Sequence, residues 1–150
     1  MSRKNGKSGV SIVYMVVVMS TMIMVASLAV DLGRVQLAKT ELQRAADAAA
    51  RAGASALPNG FASAQSAAMS IAAQNLADGS PVILDANYDF QVGHWDENTK
   101  AFIPLVGPFQ GSNVRAVKIT ARRIADRGNA IPRLFAKVLG CDTCDVKASA

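Results

Sequence analysis

The sequence predicts an α+β fold built on a single N-terminal transmembrane helix. That helix continues into an amphipathic, Ala-rich helix, followed by a second short helix and a small antiparallel sheet with one further helix. Three observations carry this expectation. Residues 10–30 contain no charge, no proline and no glycine. Apolar or small residues then recur every three or four positions from Leu28 to Ala56, and after Pro81 the rhythm changes to strict alternation. These three rhythms divide the chain into a basic tail (1–9), a transmembrane helix (10–30), a helical stalk and hairpin (31–80) and a small exported α+β domain (81–150).

At about 1.5 Å per residue, a helix over 10–30 reaches roughly 30 Å, the thickness of a bilayer's hydrocarbon core. Arg3, Lys4 and Lys7 precede it without an acid, and the first charge after it is Asp31. The basic flank predicts a cytoplasmic N-terminus and places the remaining residues on the far side. A cleavable secretory signal shares the basic start, and Ser27-Leu28-Ala29 offers small residues to a peptidase. The apolar run is longer than the 7 to 15 residues or so of such signals, so an uncleaved anchor is expected.

The formal charge of the 150 residues is +5, from 16 Lys and Arg against 11 Asp and Glu. Three of the basic residues lie in the tail, leaving thirteen against eleven, a balance of +2. An exported region so nearly neutral gives no reason to expect nucleic acid as a partner. Aromatic residues make up only 5% of the chain while alanine is abundant, so a large dense core is not expected.

From Asp31 to Leu57, a stripe of Leu32, Val35, Ala38, Leu42, Ala45, Ala49, Ala52 and Ala56 runs down one helix face. Arg34, Lys39, Glu41, Arg44, Asp47 and Arg51 mostly avoid it, and Pro58-Asn59-Gly60 ends it. Asp31 and Arg34 mark the membrane boundary, with Asp31 able to meet Arg34 one turn on. Ala29 and Gly33 form a small-x-x-x-small pair that lets another backbone approach. The expected helix-helix assembly interface is Ala29, Gly33, Leu37, Leu42, Ala45 and Ala49.

Phe61 to Ala77 places Ala64, Ala68, Ile71, Ala72 and Asn75 on one side of a second helix, stopped by Asp78-Gly79-Ser80-Pro81. A short loop makes the two helices an antiparallel hairpin with an alanine seam. Val82, Leu84, Ala86, Tyr88, Phe90 and Val92 then alternate as a strand. Asp96 to Lys100 turns the chain into Ala101-Phe102-Ile103-Pro104. Leu105 to Asn113, with Gly107-Pro108 and Gly111-Ser112, reads as an exposed irregular loop. Val114 to Arg123 gives a third strand, facing inward through Val114 and Ala116 with either Val117 or Ile119, depending on register. Ile131 to Gly140 reads as a short helix with proline in its first turn, and Cys144 to Ala150 as a final strand.

Chemistry leaves little trace. Cys141-Asp142-Thr143-Cys144 has dithiol spacing but follows a helix instead of opening one. An oxidising compartment permits a disulfide between Cys141 and Cys144 without requiring it. A zinc site needs about four ligands, and only these sulfurs and His94 are at hand. His94 has no partnering motif, and no phosphate-cradling, dinucleotide or zinc-protease signature occurs. No enzyme, cofactor or metal is therefore expected. Arg122, Arg123, Arg127, Arg133 and Lys137 gather as a solvated basic face that can also meet anionic lipid heads.

The order basic tail, Ser8-Gly9-Val10-Ser11-Ile12-Val13, apolar span, Asp31-Leu32-Gly33-Arg34, then Leu37 to Ala54 as L-A-K-T-E-L-Q-R-A-A-D-A-A-A-R-A-G-A, resembles the N-terminal region of TadG-like proteins of the Flp (tight adherence) pilus-assembly system. The resemblance is close over the first third of the chain and looser beyond. It implies a single-pass bacterial inner-membrane protein with its C-terminal domain periplasmic or extracellular. Such a protein has no catalytic function and works through helix contacts with TadE-like or TadF-like minor pilins, or with further copies of itself.

The alternative is a type IV pilin-like subunit that enters a filament through its long N-terminal helix. Such pilins keep a glutamate near the start of the mature helix. Cutting after Gly9 would put Tyr14 there and cutting after Gly6 would put Ser11, neither of which can supply that carboxylate.

Overall fold

The computed structural model describes residues 8–106, 109 and 114–150. Helix α1 runs unbroken from Ser8 to Ala56, 49 residues. At the helical rise this is a rod about 73 Å long. Its two halves differ in surroundings. No residue from Gly9 to Val30 is buried, whereas Ala38, Leu42, Ala45, Ala46 and Ala49 are almost wholly enclosed.

A single 3-10 turn, Leu57–Asn59, opens with Pro58 in the position where its missing N–H costs nothing. It reverses the chain into α2, Phe61–Gln74, which buries Ala64, Ala68 and Ala72 as the spacing predicts. Alanine faces let the two helices close tightly, and the tightest point needs no side chain at all. A Cβ on Gly53 would sit 3.3 Å from both Ala68 Cβ and Val117 Cγ1.

Helix α2 stops at Gln74, short of the expected Ala77, because Leu76–Ala77 (β1) pairs as a strand with Ser80–Pro81 (β2) in a tight hairpin. Asp78 and Gly79 both have positive φ, 47° and 72°, the geometry of a two-residue turn whose twist matches its flanking strands. The alternating stretch then departs from expectation. Val82 and Leu84 are buried, but the chain bends at Asp85 instead of continuing as a strand to Phe90. Asp85 Oδ1 accepts the N–H groups of Asn87 (2.8 Å) and Tyr88 (3.2 Å), and its carbonyl accepts that of Asp89 (2.9 Å). A side chain that captures nearby amides removes them from a ladder. Tyr88, expected inside, is 67% exposed.

The main sheet follows: β3 (Phe90–Asp96), β4 (Ala101–Pro104), β5 (Ala116–Arg123) and β8 (Val146–Ser149), ordered β4-β3-β5-β8 and antiparallel throughout. The β3–β4 hairpin turns where expected. Asp96 Oδ1 accepts Asn98 N–H at 2.9 Å and its Oδ2 accepts the Thr99 hydroxyl at 2.8 Å; these bonds, the Asn98 one foremost, hold its carboxyl below the usual range. In β5 the register sends Ile119 and Ala121 fully inward, with Val117 packed on the core, while Ala116 stays at the margin. The final strand is β8, alternating buried Val146 and Ala148 with exposed Lys147 and Ser149.

The helix expected over Ile131 to Gly140 is a correction. Ile131–Pro132 is a short strand, β6, paired with Thr143–Cys144, β7, and only Ala136–Leu139 coils, as one 3-10 turn. Pro132 lies in the strand. Gly140 is the stop expected of it, in the left-handed conformation at φ 78°. Of the expected loop over Leu105 to Asn113, residues 107, 108 and 110–113 lie outside the described residues, as does the basic tail over 1–7.

The alanines of α1 and α2 share one core with Phe90, Val92, Ile119, Ala121, Ile131, Val146 and Ala148. The segment expected as a stalk and the sheet thus pack as a single unit around the outer half of α1. Since alanine offers little area, the larger apolar side chains of the sheet supply most of the hydrophobic stabilisation.

Candidate membrane anchor

The inner half of α1 exposes nearly every large apolar side chain it carries, among them Val13, Val16, Met22, Ile23 and Val25. A helix this apolar in a soluble protein would be enclosed; this one is long and apolar enough to cross a membrane and has none of its apolar window buried. Three of its hydroxyls bond back to the helix itself. Ser20 and Thr21 both donate to the Val17 carbonyl, at 2.9 and 2.7 Å, and Ser27 donates to Ile23 at 2.7 Å. Satisfied in this way, they can sit in hydrocarbon without an orphaned donor.

Asp31 closes the apolar stretch and does not pair with Arg34 as expected. It is buried, 4% exposed, under the turn that leads into Ala136–Leu139. Its Oδ1 accepts Leu134 N–H at 3.0 Å, and its Oδ2 accepts Phe135 N–H at 3.0 Å and Ala136 N–H at 2.7 Å. The Ala136 N–H foremost, joined by those of Leu134 and Phe135 and by the nearby Arg133 charge, holds the Asp31 carboxyl below its usual range. Arg34 turns to Asp78 in the β1–β2 turn, with Nε at 2.8 Å and Nη2 at 3.1 Å. Asp78 N–H in turn donates to Glu41 Oε2 at 2.8 Å. Two adjacent turns of α1 thus clamp two remote loops at the outer edge of the apolar stretch.

A carboxylate with a depressed folded-state pKa stabilises above its unfolded value and loses that contribution as pH falls through the folded one. The 134–136 turn is therefore expected to loosen below about pH 3.9, the ordinary Asp value. Hydrogen exchange provides the check. Asp31→Ala should speed exchange at the Leu134, Phe135 and Ala136 amides about tenfold at neutral pH while the β3 and β5 amides stay protected. Unchanged exchange at those three amides would contradict the clamp.

The expected assembly residues separate into two groups. Leu42, Ala45 and Ala49 are fully buried against the chain's own helix and sheet, so no second molecule can reach them; this corrects their assignment to an assembly interface. Ala29, Gly33 and Leu37 face outward. Leu37 is 60% exposed, and a Cβ on Gly33 would meet nothing within 4 Å.

The basic face also changes character. Asp89, fully buried, is flanked by Arg122, whose Nε lies 2.9 Å from Oδ1, and by Arg127, which reaches both carboxylate oxygens and whose own pKa is raised by that bond. Arg123 is buried and donates to the carbonyls of Ser80 and Asn129. These three arginines are structural, and only Arg133 and Lys137 of the group lie beside the Asp31 clamp. No motif flagged Asp89, which the alternation sets with Asp85, Asn87 and Gln91 on its polar face.

Cys141 and Cys144 are both free thiols, the first exposed and the second half-buried in β7. His94 is exposed on β3, opposite Ile103. Among the described residues no three His, Cys, Asp or Glu side chains group as metal ligands.

The apolar half of α1, Asp31-Leu32-Gly33-Arg34 and the alanine face behind it form one continuous element, and comparison with known families recovers that element. Residues 9–56 match the Tad family model, described as putative Flp pilus-assembly TadE/G-like. No curated protein and no solved structure matches the chain. The TadE/G-like segment ends where α1 ends, so it takes in the exposed apolar half, the Asp31 and Arg34 clamps and the helical part of the core. The family is one of pilus assembly, and the sheet lies beyond the matched residues.

Proposed function

We propose that this protein is a non-enzymatic component of Tad/Flp pilus assembly, held in the bacterial inner membrane by residues 10–30. In this reading the basic tail lies in the cytoplasm and residues 31–150 lie outside. The single observation that carries it is the coincidence of the TadE/G-like match with a helix whose apolar half is left bare by the fold. The protein acts by helix contact with TadE-like or TadF-like partners, or with further copies of itself, through Ala29, Gly33 and Leu37. These three remain on an open face after the fold has used Leu42, Ala45 and Ala49. Asp31 and Arg34, at the membrane boundary, fix the outer unit relative to the span.

Complementation tests this in the protein's own host. Deleting the gene is expected to abolish surface pili and the full chain to restore them. Gly33→Leu should fail to restore them although the protein accumulates normally, because the added side chain enters open space in the fold but blocks a neighbouring helix. Normal piliation in the deletion strain would contradict the assembly role. Full rescue by Gly33→Leu would contradict the interface.

A further inference from the structure

The turn held by Asp31 has a consequence for how the outer unit meets the bilayer. Leu134 and Phe135 are 60% and 46% exposed although neither belongs to the span. Phe135 and Ala136 form one wall of an apolar cleft of 340 Å³, whose other wall is Ser20, Ile23, Met24, Ser27 and Leu28 of α1. A helical side chain leans toward the N-terminus of its helix, so the Asp31 carboxylate lies over the turn of Ser27 and Leu28. The three amides bound to it are therefore held at the end of the apolar stretch, and the Phe135 ring reaches back along the span. Arg133, half-buried, and Lys137, exposed, bracket the two apolar residues along the chain.

We infer that Leu134 and Phe135 form a second, shallow membrane contact, inserting into the acyl region of the outer leaflet beside the transmembrane helix, with Arg133 and Lys137 at the phosphate level. Lipid is the occupant because the two side chains continue the apolar surface of the span at its outer end. Apolar tips with cations beside them in the chain also match the layering of acyl chain and phosphate. A purely apolar partner helix would cover the wall and leave the cations unused, whereas an anionic bilayer engages both. The inference rests on the proposal that residues 10–30 cross the membrane. With that granted, the outer unit is seated on the bilayer at a fixed tilt and does not swing on α1.

Tryptophan quenching by brominated lipid separates the two claims. Trp95 is the only tryptophan and is half exposed, so Trp95→Phe gives a dark background. In that background Phe135→Trp and Val25→Trp are placed singly in the full chain. They are reconstituted into nanodiscs of phosphatidylcholine, brominated high on the acyl chain, mixed with phosphatidylglycerol. The expected result is strong quenching at Val25→Trp and at least about half that extent at Phe135→Trp. Quenching at Val25→Trp alone overturns the shallow contact and leaves the span in place. Absence of quenching at both overturns the span and the contact together. Leu134→Trp supplies the same reading should Phe135→Trp not fold.

Discussion

Asp89→Ala is expected to destabilise the outer unit by about 3 kcal/mol, the range for removing one partner of a buried charged pair. The carboxylate is wholly enclosed. It faces Arg122 and Arg127, and its Oδ2 also accepts the Asp85 N–H at 2.9 Å. Deleting it leaves two guanidinium groups, each less than a third exposed, facing each other without an anion. It also frees the bend at Asp85, where the chain passes from loop to β3. Against a total stability of about 5–15 kcal/mol for a domain, the loss is large. Urea unfolding of the full chain in detergent, followed by the Trp95 signal, is the check. A change below about 0.5 kcal/mol, typical of surface substitutions, would show that the cluster carries no weight. Arg122→Gln should cost less than Asp89→Ala, because Arg127 still covers both carboxylate oxygens.

Gly93→Ala is expected to cost about as much, roughly 3 kcal/mol, at the upper end of overpacking, and by a different route. Gly93 lies in β3 opposite Pro104, and a Cβ there would fall 2.0 Å from the Ile103 carbonyl oxygen and 2.9 Å from its carbon. Both are backbone atoms and cannot rotate aside, so β4 must separate from β3. Hydrogen exchange should show the β4 amides and Leu105 N–H, which donates to Val92 at 2.8 Å, losing protection while the β5–β8 ladder keeps it. Gly33→Ala is the contrast. With open space around it, the same added methyl is expected to stabilise the helix by up to about 1 kcal/mol. Equal effects at the two glycines would contradict the close approach at Gly93.

The helical part of this fold was legible because its signals are local. The apolar run, the spacing of Ala64, Ala68 and Ala72, and the Pro58-Asn59-Gly60 break act within a few residues of themselves, and each helix starts where its pattern placed it, although α2 gives up its last three expected residues to the β1 strand and the link into it. The β3–β4 hairpin and the closing strand were equally plain from alternation around a polar turn. Two further departures have different causes, one local and one distant. At Asp85 a side chain took the amides a strand would have used, and at 131–140 the chain is governed by distant partners, Thr143 and Cys144 for the strand and Asp31 for the turn. The roles of Asp31, Arg34, Asp78 and Asp89 likewise depend on partners tens of residues away, which no local pattern reports. Of the six helix positions expected to meet other subunits, Leu42, Ala45 and Ala49 have the same local pattern as Ala29, Gly33 and Leu37, and only the chain's own second helix and sheet, packed around them, set them apart.

The proposed crossing of the bilayer by residues 10–30 is tested most directly by impermeant thiol labelling. With Cys141 and Cys144 changed to serine, single cysteines at Asn98, in the exposed β3–β4 turn, and at Ser2 report the two sides of the inner membrane. In cells whose outer membrane has been permeabilised, Asn98→Cys is expected to label fully, and Ser2→Cys only after the inner membrane is broken. Labelling of Ser2→Cys while Asn98→Cys stays protected, or recovery of the protein in the soluble fraction, would contradict an anchored protein whose folded unit faces outward.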